Sequence, residues 1–195
     1  LGGTPKMQRS FSRSTPTLQA LNLDKVDLAE AVKDVLRHPT VASKSFLISI
    51  GDRSITGMVV RDQYVGRYQV PVADCAVTAS ALIPVDGKPM TGEAMSMGER
   101  TPVALINPAA SARLAVAEAI TNIAGANIAK LSDITLSANW MAACGEDKED
   151  QALFDAVYAV GEALCPALGI AIPVGKDSLT MRANWSDEQV NKSVV

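Results

Sequence analysis

Three oxygen-bearing side chains interrupt apolar parts of the sequence. Glu118 and Asn122 lie four residues apart in the alanine-rich stretch 107–126, and Asp74 lies in the apolar run 70–83. On a helix, residues four apart share one face. Oxygen atoms on an otherwise buried surface cost free energy unless something satisfies them, and Mg²⁺ takes oxygen ligands. The pattern therefore fits a Mg²⁺ site that is shared with nucleotide phosphates.

A simpler interpretation of the same residues stays open. A Glu and an Asn at this spacing usually form a solvated stripe or a hydrogen bond on the helix surface. The metal interpretation requires Asp74, on a strand, to face Glu118 and Asn122. Lys44 begins another apolar segment and would provide a positive charge for a phosphate group.

The helix that carries this pair has clear start and stop signals. Asn107 is a favourable N-cap residue, and Pro108 follows at the first helical position, where its missing N–H costs nothing. The many alanines keep the helix thin, so that it can lie close to a sheet or to another helix. Gly125 and Asn127 are plausible stop signals.

The remaining elements are predicted from apolar periodicity and from glycine and proline positions. Helices are predicted at 23–37, 93–100 and 150–164. Strands are predicted at 44–50, 70–83, 134–136, 170–174 and 179–182, with a loop at 84–92 and a polar turn at 175–178. Two segments stay undecided: 55–61 is strand or helix, and 103–106 is a short strand or a lead-in to the central helix.

These elements favour an α+β fold, a mixed or antiparallel sheet with helices on one face. Three regions are expected along the 195 residues. Residues 1–40 would be a linker and helical lead-in, 41–185 the α+β domain, and 186–195 a polar tail at a cut end.

Composition excludes several classes of function. The net charge of −3 provides no basic footprint, so nucleic-acid binding is not expected. No run of 18 apolar residues and no signal-peptide pattern occurs, so a membrane location is not expected. The cysteines, Cys75, Cys144 and Cys165, fit reduced structural thiols of the cytosol. The single histidine, His38, precedes a proline at a helix end, which disfavours a serine–histidine–aspartate triad.

The stretch Gly175-Lys176-Asp177-Ser178 has the appearance of a phosphate-binding loop but does not satisfy the pattern. The motif G-x-x-x-x-G-K-[ST] needs a glycine at position 170, where this sequence has Ile170. Asp177 also stands where the motif needs Ser or Thr.

Six segments, taken in order, resemble one known family. They are GDRSITGMVVRDQYVG, QVPVADCAV, GEAMSMGER, ARLAVAEAITNIA, LSANWM and PVGKDSLTM. Together they are similar to the large form of phosphoribosylformylglycinamidine synthase, specifically to the PurM N-terminal-like sheet domain of its second synthetase half. The similarity runs from about 44 to 181, with weaker signs back to Gly2.

The resemblance implies an ATP- and glutamine-dependent ligase of purine biosynthesis, located in the cytoplasm. It implies that this half holds Mg²⁺ and an adenine nucleotide, ATP or ADP, as a structural group. The family's metal ligands fall on Asp74, Glu118 and Asn122, and its nucleotide contacts fall on Ala73 and Lys44. No catalytic residue of the family falls in this chain.

The resemblance also implies partners within the same polypeptide. In the family this domain pairs sheet to sheet with the first synthetase half, and a C-terminal domain and a glutaminase domain complete the enzyme. A further metal-ligating Asp and a nucleotide-binding Ser are expected beyond Val195. The chain by itself is therefore expected to be inactive. If it is instead only an assembly module, its exposed sheet face is expected to drive homodimer formation. The loop 83–92 is longer than is usual in the family.

Overall fold

The computed structural model describes residues 2–3, 6, 8–15, 17–51, 53–84, 86–146, 148–179, 181–187 and 190–194. The chain divides into two compact units. The first unit combines Leu1–Pro16 with Met97–Val195, and the second unit is Thr17–Ser96. Helices occur in both units, together with small antiparallel and parallel sheets, so the predicted α+β class is confirmed.

The described residues of the second unit form two α-helices, two 3-10 turns and a three-stranded antiparallel sheet in the order β1-β2-β3. The bounds are α1 (Leu28–Arg37), α2 (Ser45–Ile50), β1 (Val59–Arg61), β2 (Cys75–Ala79) and β3 (Gly92–Ser96). The helix predicted at 23–37 is present as a short 3-10 turn, Leu23–Lys25, followed by α1. The Asp27 carboxylate caps α1 by accepting from the Glu30 N–H at 2.9 Å.

Tyr64 is the main buried aromatic side chain of the second unit, with 7% of its surface exposed. Its hydroxyl donates to the Ser45 carbonyl oxygen at 2.8 Å, and the Arg53 guanidinium lies 4.7 Å from its ring centroid. Buried tyrosines require such a partner for the hydroxyl group. Tyr64, in the segment between β1 and β2, therefore ties that segment to α2 and to Arg53.

In the first unit, the described residues form four α-helices, a π-helical segment, the 3-10 turn Leu131–Asp133, a parallel pair of strands and an antiparallel pair of strands. Its helical bounds are α3 (Thr101–Ala104), α4 (Pro108–Ile123), α5 (Glu149–Tyr158), a π-helical segment (Ala159–Leu164) and α6 (Cys165–Leu168). Its strands are β4 (Thr135–Met141), β5 (Ala171–Ser178), β6 (Ala183–Asp187) and β7 (Val190–Val194). Strands β4 and β5 run parallel, and β6 and β7 are antiparallel.

The core of the first unit lies between α4, the π-helical segment and the β4–β5 pair. Its buried centre is Val116, Val160 and Cys165. Partly buried apolar residues surround that centre: Ala112, Ile120, Leu136, Trp140, Leu164 and Ile172. Aliphatic side chains supply nearly all of this core, in a chain of which only 4% of the residues are aromatic.

The central helix follows its sequence signals closely. Asn107 is the N-cap of α4, and its side-chain oxygen accepts from the Ala110 N–H at 2.9 Å. Pro108 is the first helical residue, and the helix ends at Ile123, just before Gly125. Local capping chemistry was sufficient to place this helix.

Two secondary-structure predictions in the second unit are wrong. Residues 44–50 form helix α2 rather than a strand, and a short apolar run cannot be assigned by periodicity alone. Within α2 the Ser49 hydroxyl donates to the Ser45 carbonyl, a bond that only the helical turn allows. Residues 92–96 form strand β3 rather than a helix, because they pair along their whole length with β2.

Three predictions near the end of the chain also differ from the structure. The described residues of 179–182, predicted as a strand, lie outside both β5 and β6. Residues 175–178, predicted as a polar turn, continue β5, because Gly175 pairs with Ala138 without a side chain to obstruct the strand. Residues 183–187 and 190–194, predicted as part of a polar tail, form the antiparallel strands β6 and β7, with a hydrogen bond between Ser186 and Asn191 at 2.7 Å. The undecided segment 103–106 begins in α3, and 55–61 contains a 3-10 turn and β1. The division of the chain into regions 1–40, 41–185 and 186–195 stays a prediction.

Candidate functional site

Glu118 lies on α4 with its carboxylate bound by two donors. Its Oε2 accepts from the Glu99 backbone N–H at 2.9 Å and lies 3.0 Å from Nη1 of Arg100. The buried Ser111 hydroxyl donates to the Arg100 carbonyl at 2.6 Å and so fixes the backbone at Arg100. The negative charge of Glu118 is thus compensated within the protein.

Asn122, one turn later on α4, contacts the same segment. Its Nδ2 donates to the Met97 carbonyl oxygen at 2.9 Å. Its Oδ1 makes no hydrogen bond with any residue that the structure describes. The two side chains therefore share one face of α4, as their spacing predicts, and the segment 97–100 covers that face.

Gly98 allows this segment to approach α4. A Cβ atom at position 98 would lie 1.9 Å from the Ala115 carbonyl oxygen and 2.6 Å from the Ala119 nitrogen. Only glycine fits at such a distance from a helix backbone. The small residues of α4 and Gly98 together place the Glu99 N–H and Arg100 against Glu118.

Asp74 belongs to the second unit, whereas Glu118 and Asn122 belong to the first. Its side chain is exposed and, among the described residues, has no hydrogen bond or ion pair. Within the described part of the chain, no group of three or more His, Cys, Asp or Glu side chains could hold a metal ion. The three-residue metal set stays a prediction.

Ala73 lines a small cavity in the second unit. The cavity has a volume of about 160 Å³, and its polar lining comes from Arg61, Asp62 and Gln63. The Ala73 N–H donates to the Gln63 carbonyl at 2.8 Å, so that this backbone group is already bonded. Lys44 precedes the first residue of α2, and its ammonium group donates to the Ala42 carbonyl. The nucleotide contacts predicted for Ala73 and Lys44 stay predictions.

Arg53 and Asp62 form an ion pair beside this cavity that sequence reasoning missed. Arg53 donates to Asp62 Oδ1 from Nη2 at 2.9 Å and from Nε at 3.0 Å. The Gln63 side chain also donates to the Arg53 carbonyl, and its Oε1 is buried without a partner among the described residues. Both residues lie in the segment GDRSITGMVVRDQYVG, which resembles the known family. Opposite charges nine residues apart are common in sequences, so this spacing alone did not predict the ion pair.

The hydrogen bond from Arg53 lowers the pKa of Asp62 below its ordinary value. We expect Arg53→Met to return the pKa of Asp62 towards the ordinary aspartate range, and NMR titration of the carboxyl carbon would measure the change. Because the folded pKa is the lower one, the pair stabilises the fold above the unfolded-state pKa. That contribution is lost as the pH falls through the folded-state pKa. An unchanged titration curve in Arg53→Met would contradict this assignment.

The cysteines show no sign of reactivity. Burial raises the pKa of the Cys165 thiol, and burial followed by the nearby Asp150 carboxylate raises the pKa of the Cys144 thiol. A raised pKa reduces the thiolate fraction that nucleophilic chemistry requires. Cys75 is a buried free thiol. These environments agree with the prediction of structural thiols.

Comparison with known families identifies a domain family that the chain matches. Residues 43–195 match the family described as FGAR-AT PurM_N-like domain. This match covers more than half of the chain and includes all six resemblance segments. In addition, none of the helices in the described residues combines the length and apolar character needed to cross a membrane.

Proposed function

Since the chain belongs to the FGAR-AT PurM_N-like domain family, we propose that it serves a phosphoribosylformylglycinamidine synthase as a nucleotide- and Mg²⁺-holding domain without catalytic residues of its own. The family places it with the ligases of purine biosynthesis. The single observation that carries the proposal is this match over residues 43–195. The arrangement of Glu118 and Asn122 on α4 adds support to the Mg²⁺ part.

The chemistry of these two side chains fits Mg²⁺ in one respect and opposes it in another. A carboxylate and an amide oxygen on one helix face are hard donors of the kind that Mg²⁺ accepts. Arg100, however, lies 3.0 Å from Glu118 and would compete with a cation for the same carboxylate. Mg²⁺ would therefore have to displace Arg100, with Asp74 as the proposed third ligand and nucleotide phosphates completing the coordination.

Nucleotide binding is proposed for the cavity at Ala73 and for Lys44. Asp62 and Gln63 supply polar groups to that cavity, and the buried Gln63 Oε1 can accept a hydrogen bond. A lysine ammonium is a suitable partner for a phosphate group. Bound in this way, the nucleotide would stabilise the domain by mass action without being consumed.

The competition between Arg100 and Mg²⁺ leads to a testable prediction. We expect calorimetry of the chain with ADP to give binding only when Mg²⁺ is present, and Glu118→Ala to abolish it. Arg100→Gln should leave that binding intact or tighten it, because the competing charge is gone. Glu162→Ala, which removes an exposed carboxylate elsewhere on the same unit, is the matched control. Equal binding in Glu118→Ala and the control would contradict a role for Glu118.

An assembly module that binds no nucleotide is the second candidate function. It is favoured by the protein contacts that the Glu118 carboxylate and the Asn122 Nδ2 group already make, and by apolar strand residues that are exposed. Val60 on β1 is 65% exposed, and Met95 on β3 is 61% exposed. Sheet pairing with the first synthetase half of the same polypeptide, or with a second copy of this chain, would cover them. Sedimentation of a single monomeric species across micromolar concentrations would oppose the homodimer.

The same family membership is the basis for the remaining proposals. The partners would be the first synthetase half, the C-terminal domain and the glutaminase domain of one enzyme, and the compartment would be the cytoplasm. The chain without those partners is expected to be inactive in amidine formation.

A further inference from the structure

A segment near the start of the sequence contacts helix α5 in the first unit. We define the arm as residues 8–15, QRSFSRST. All eight residues are exposed, yet four of them contact α5 or its N-terminal approach through specific polar or aromatic groups. Composition predicts a linker in this region, so these contacts need a separate explanation.

Gln151 binds the backbone of the arm from both sides of its amide group. Its Oε1 accepts from the Ser14 N–H at 3.0 Å, and its Nε2 donates to the Ser14 carbonyl at 3.1 Å. A primary amide that pairs with both backbone groups of one residue imitates the neighbouring strand of a sheet. Such a contact fixes the arm in an extended form and is independent of the side chain at position 14.

Arg13 is the most connected side chain of the arm. It donates to Asp155 at 2.9 Å, and its guanidinium lies 5.7 Å from the ring centroid of Phe154 and 5.8 Å from that of Phe11. The two rings are 5.9 Å apart, and Phe154 stacks on Tyr158 at 6.0 Å. The Arg13 guanidinium is therefore held both by the Asp155 carboxylate and by the rings of Phe11 and Phe154.

Arg9 makes a second, looser contact at the start of α5. Its Nη1 lies 3.7 Å from the Asp150 carboxylate, which also accepts from the Gly145 N–H at 3.0 Å. Gly145 has a φ of +92°, and a Cβ atom there would lie 2.7 Å from Nη1 of Arg9. Glycine therefore leaves the space that the Arg9 side chain occupies.

The charges of the two surfaces are complementary. Residues 1–16 contain three basic residues and no acidic residue, namely Lys6, Arg9 and Arg13. Helix α5 contains Glu149, Asp150 and Asp155 and no basic residue. Complementary charge favours this arm over an acidic or neutral segment.

We propose that Asp150, Gln151, Phe154 and Asp155 form a docking site for a basic, aromatic peptide segment, and that its occupant is the sequence Arg-Ser-Phe-Ser-Arg-Ser at positions 9–14. Docking is reversible, because 62% of the Arg13 side chain stays exposed and exposed ion pairs are weak. The proposal is independent of nucleotide or Mg²⁺ binding, since neither the arm nor α5 carries a residue assigned to that function.

A charge exchange between Arg13 and Asp155 tests the site in the whole chain. Chymotrypsin cleaves after Phe11, and only an undocked arm would fit the protease. We expect Arg13→Asp and Asp155→Arg each to raise the rate of that cleavage by about 3- to 10-fold, since cleavage follows the population of the open form. The double variant Arg13→Asp/Asp155→Arg should return the rate to within about twofold of the parent.

Two controls separate docking from unfolding. Glu162→Arg makes the same change of charge in the adjoining π-helical segment and should leave the rate unchanged. Gln151→Ala removes the backbone contact without changing charge and should raise the rate. Far-UV circular dichroism would confirm that each variant is folded. A double variant cleaved as fast as Asp155→Arg, or a parent chain cleaved as fast as the single variants, would overturn the proposal.

Discussion

The substitution Gly98→Ala is expected to destabilise the first unit by about 2–4 kcal/mol, because the added methyl group would overlap backbone atoms that cannot move independently. The nearest of these atoms is the Ala115 carbonyl oxygen, 1.9 Å from the position of the new Cβ atom. Relief requires the whole segment 97–100 to move away from α4. Urea denaturation followed by circular dichroism would measure the loss as a lower midpoint.

Gly161→Ala is the matched control for this substitution. Gly161 lies in the π-helical segment, and a Cβ atom there would have no described neighbour within 4 Å. Alanine should be neutral or stabilising at this position by up to about 1 kcal/mol, since it lowers the backbone entropy of the unfolded chain. Equal stability of Gly98→Ala and the parent chain would mean that the segment does not contact α4 as described. The contact of Glu118 with the Glu99 N–H would then be in doubt as well.

Val160→Ala is expected to cost about 2 kcal/mol, through lost burial and the cavity that remains. Val160 is 2% exposed and lies at the centre of the core with Val116 and Cys165. Trp140 packs against this core and reports on it by fluorescence. A Trp185→Phe background would make Trp140 the sole tryptophan, because the chain contains two.

Val157→Ala is the matched control, because it removes the same two methyl groups from a valine that lies outside the buried core. Val157 is 39% exposed on α5, so its truncation should cost less than about 1 kcal/mol. If both variants lower the denaturation midpoint equally, the core is not centred on Val160. A larger effect at position 160 supports the packing between the π-helical segment and α4.

The elements that sequence predicted well are those whose stabilising contacts are local. Helix α4 begins at a cap formed by Asn107 and Pro108, and both act within one turn of the chain. Segment 44–50 has no such local signal. Its helical form depends in part on the Tyr64 hydroxyl, 19 residues away from Ser45.

The candidate site shows the same division between local and distant contacts. The spacing of Glu118 and Asn122 was sufficient to place both on one face of α4. Their backbone partners, the Glu99 N–H and the Met97 carbonyl, could not be predicted, because such groups carry no sequence signal. The contact between the arm and α5 could not be predicted either. Composition indicates a linker at the arm, and the two contacting segments are more than 130 positions apart in the sequence.

The separation between the arm and α5 has a consequence for synthesis on the ribosome. Arg13 precedes Asp155 by 142 positions, and at about 5–20 residues per second the partner helix follows after roughly 7–30 s. The second unit, Thr17–Ser96, is completed during that interval. The arm therefore leaves the ribosome before its binding surface exists and remains unbound while an intervening unit folds. Its basic charge and its single exposed phenylalanine suit a segment that has to stay in water during that time.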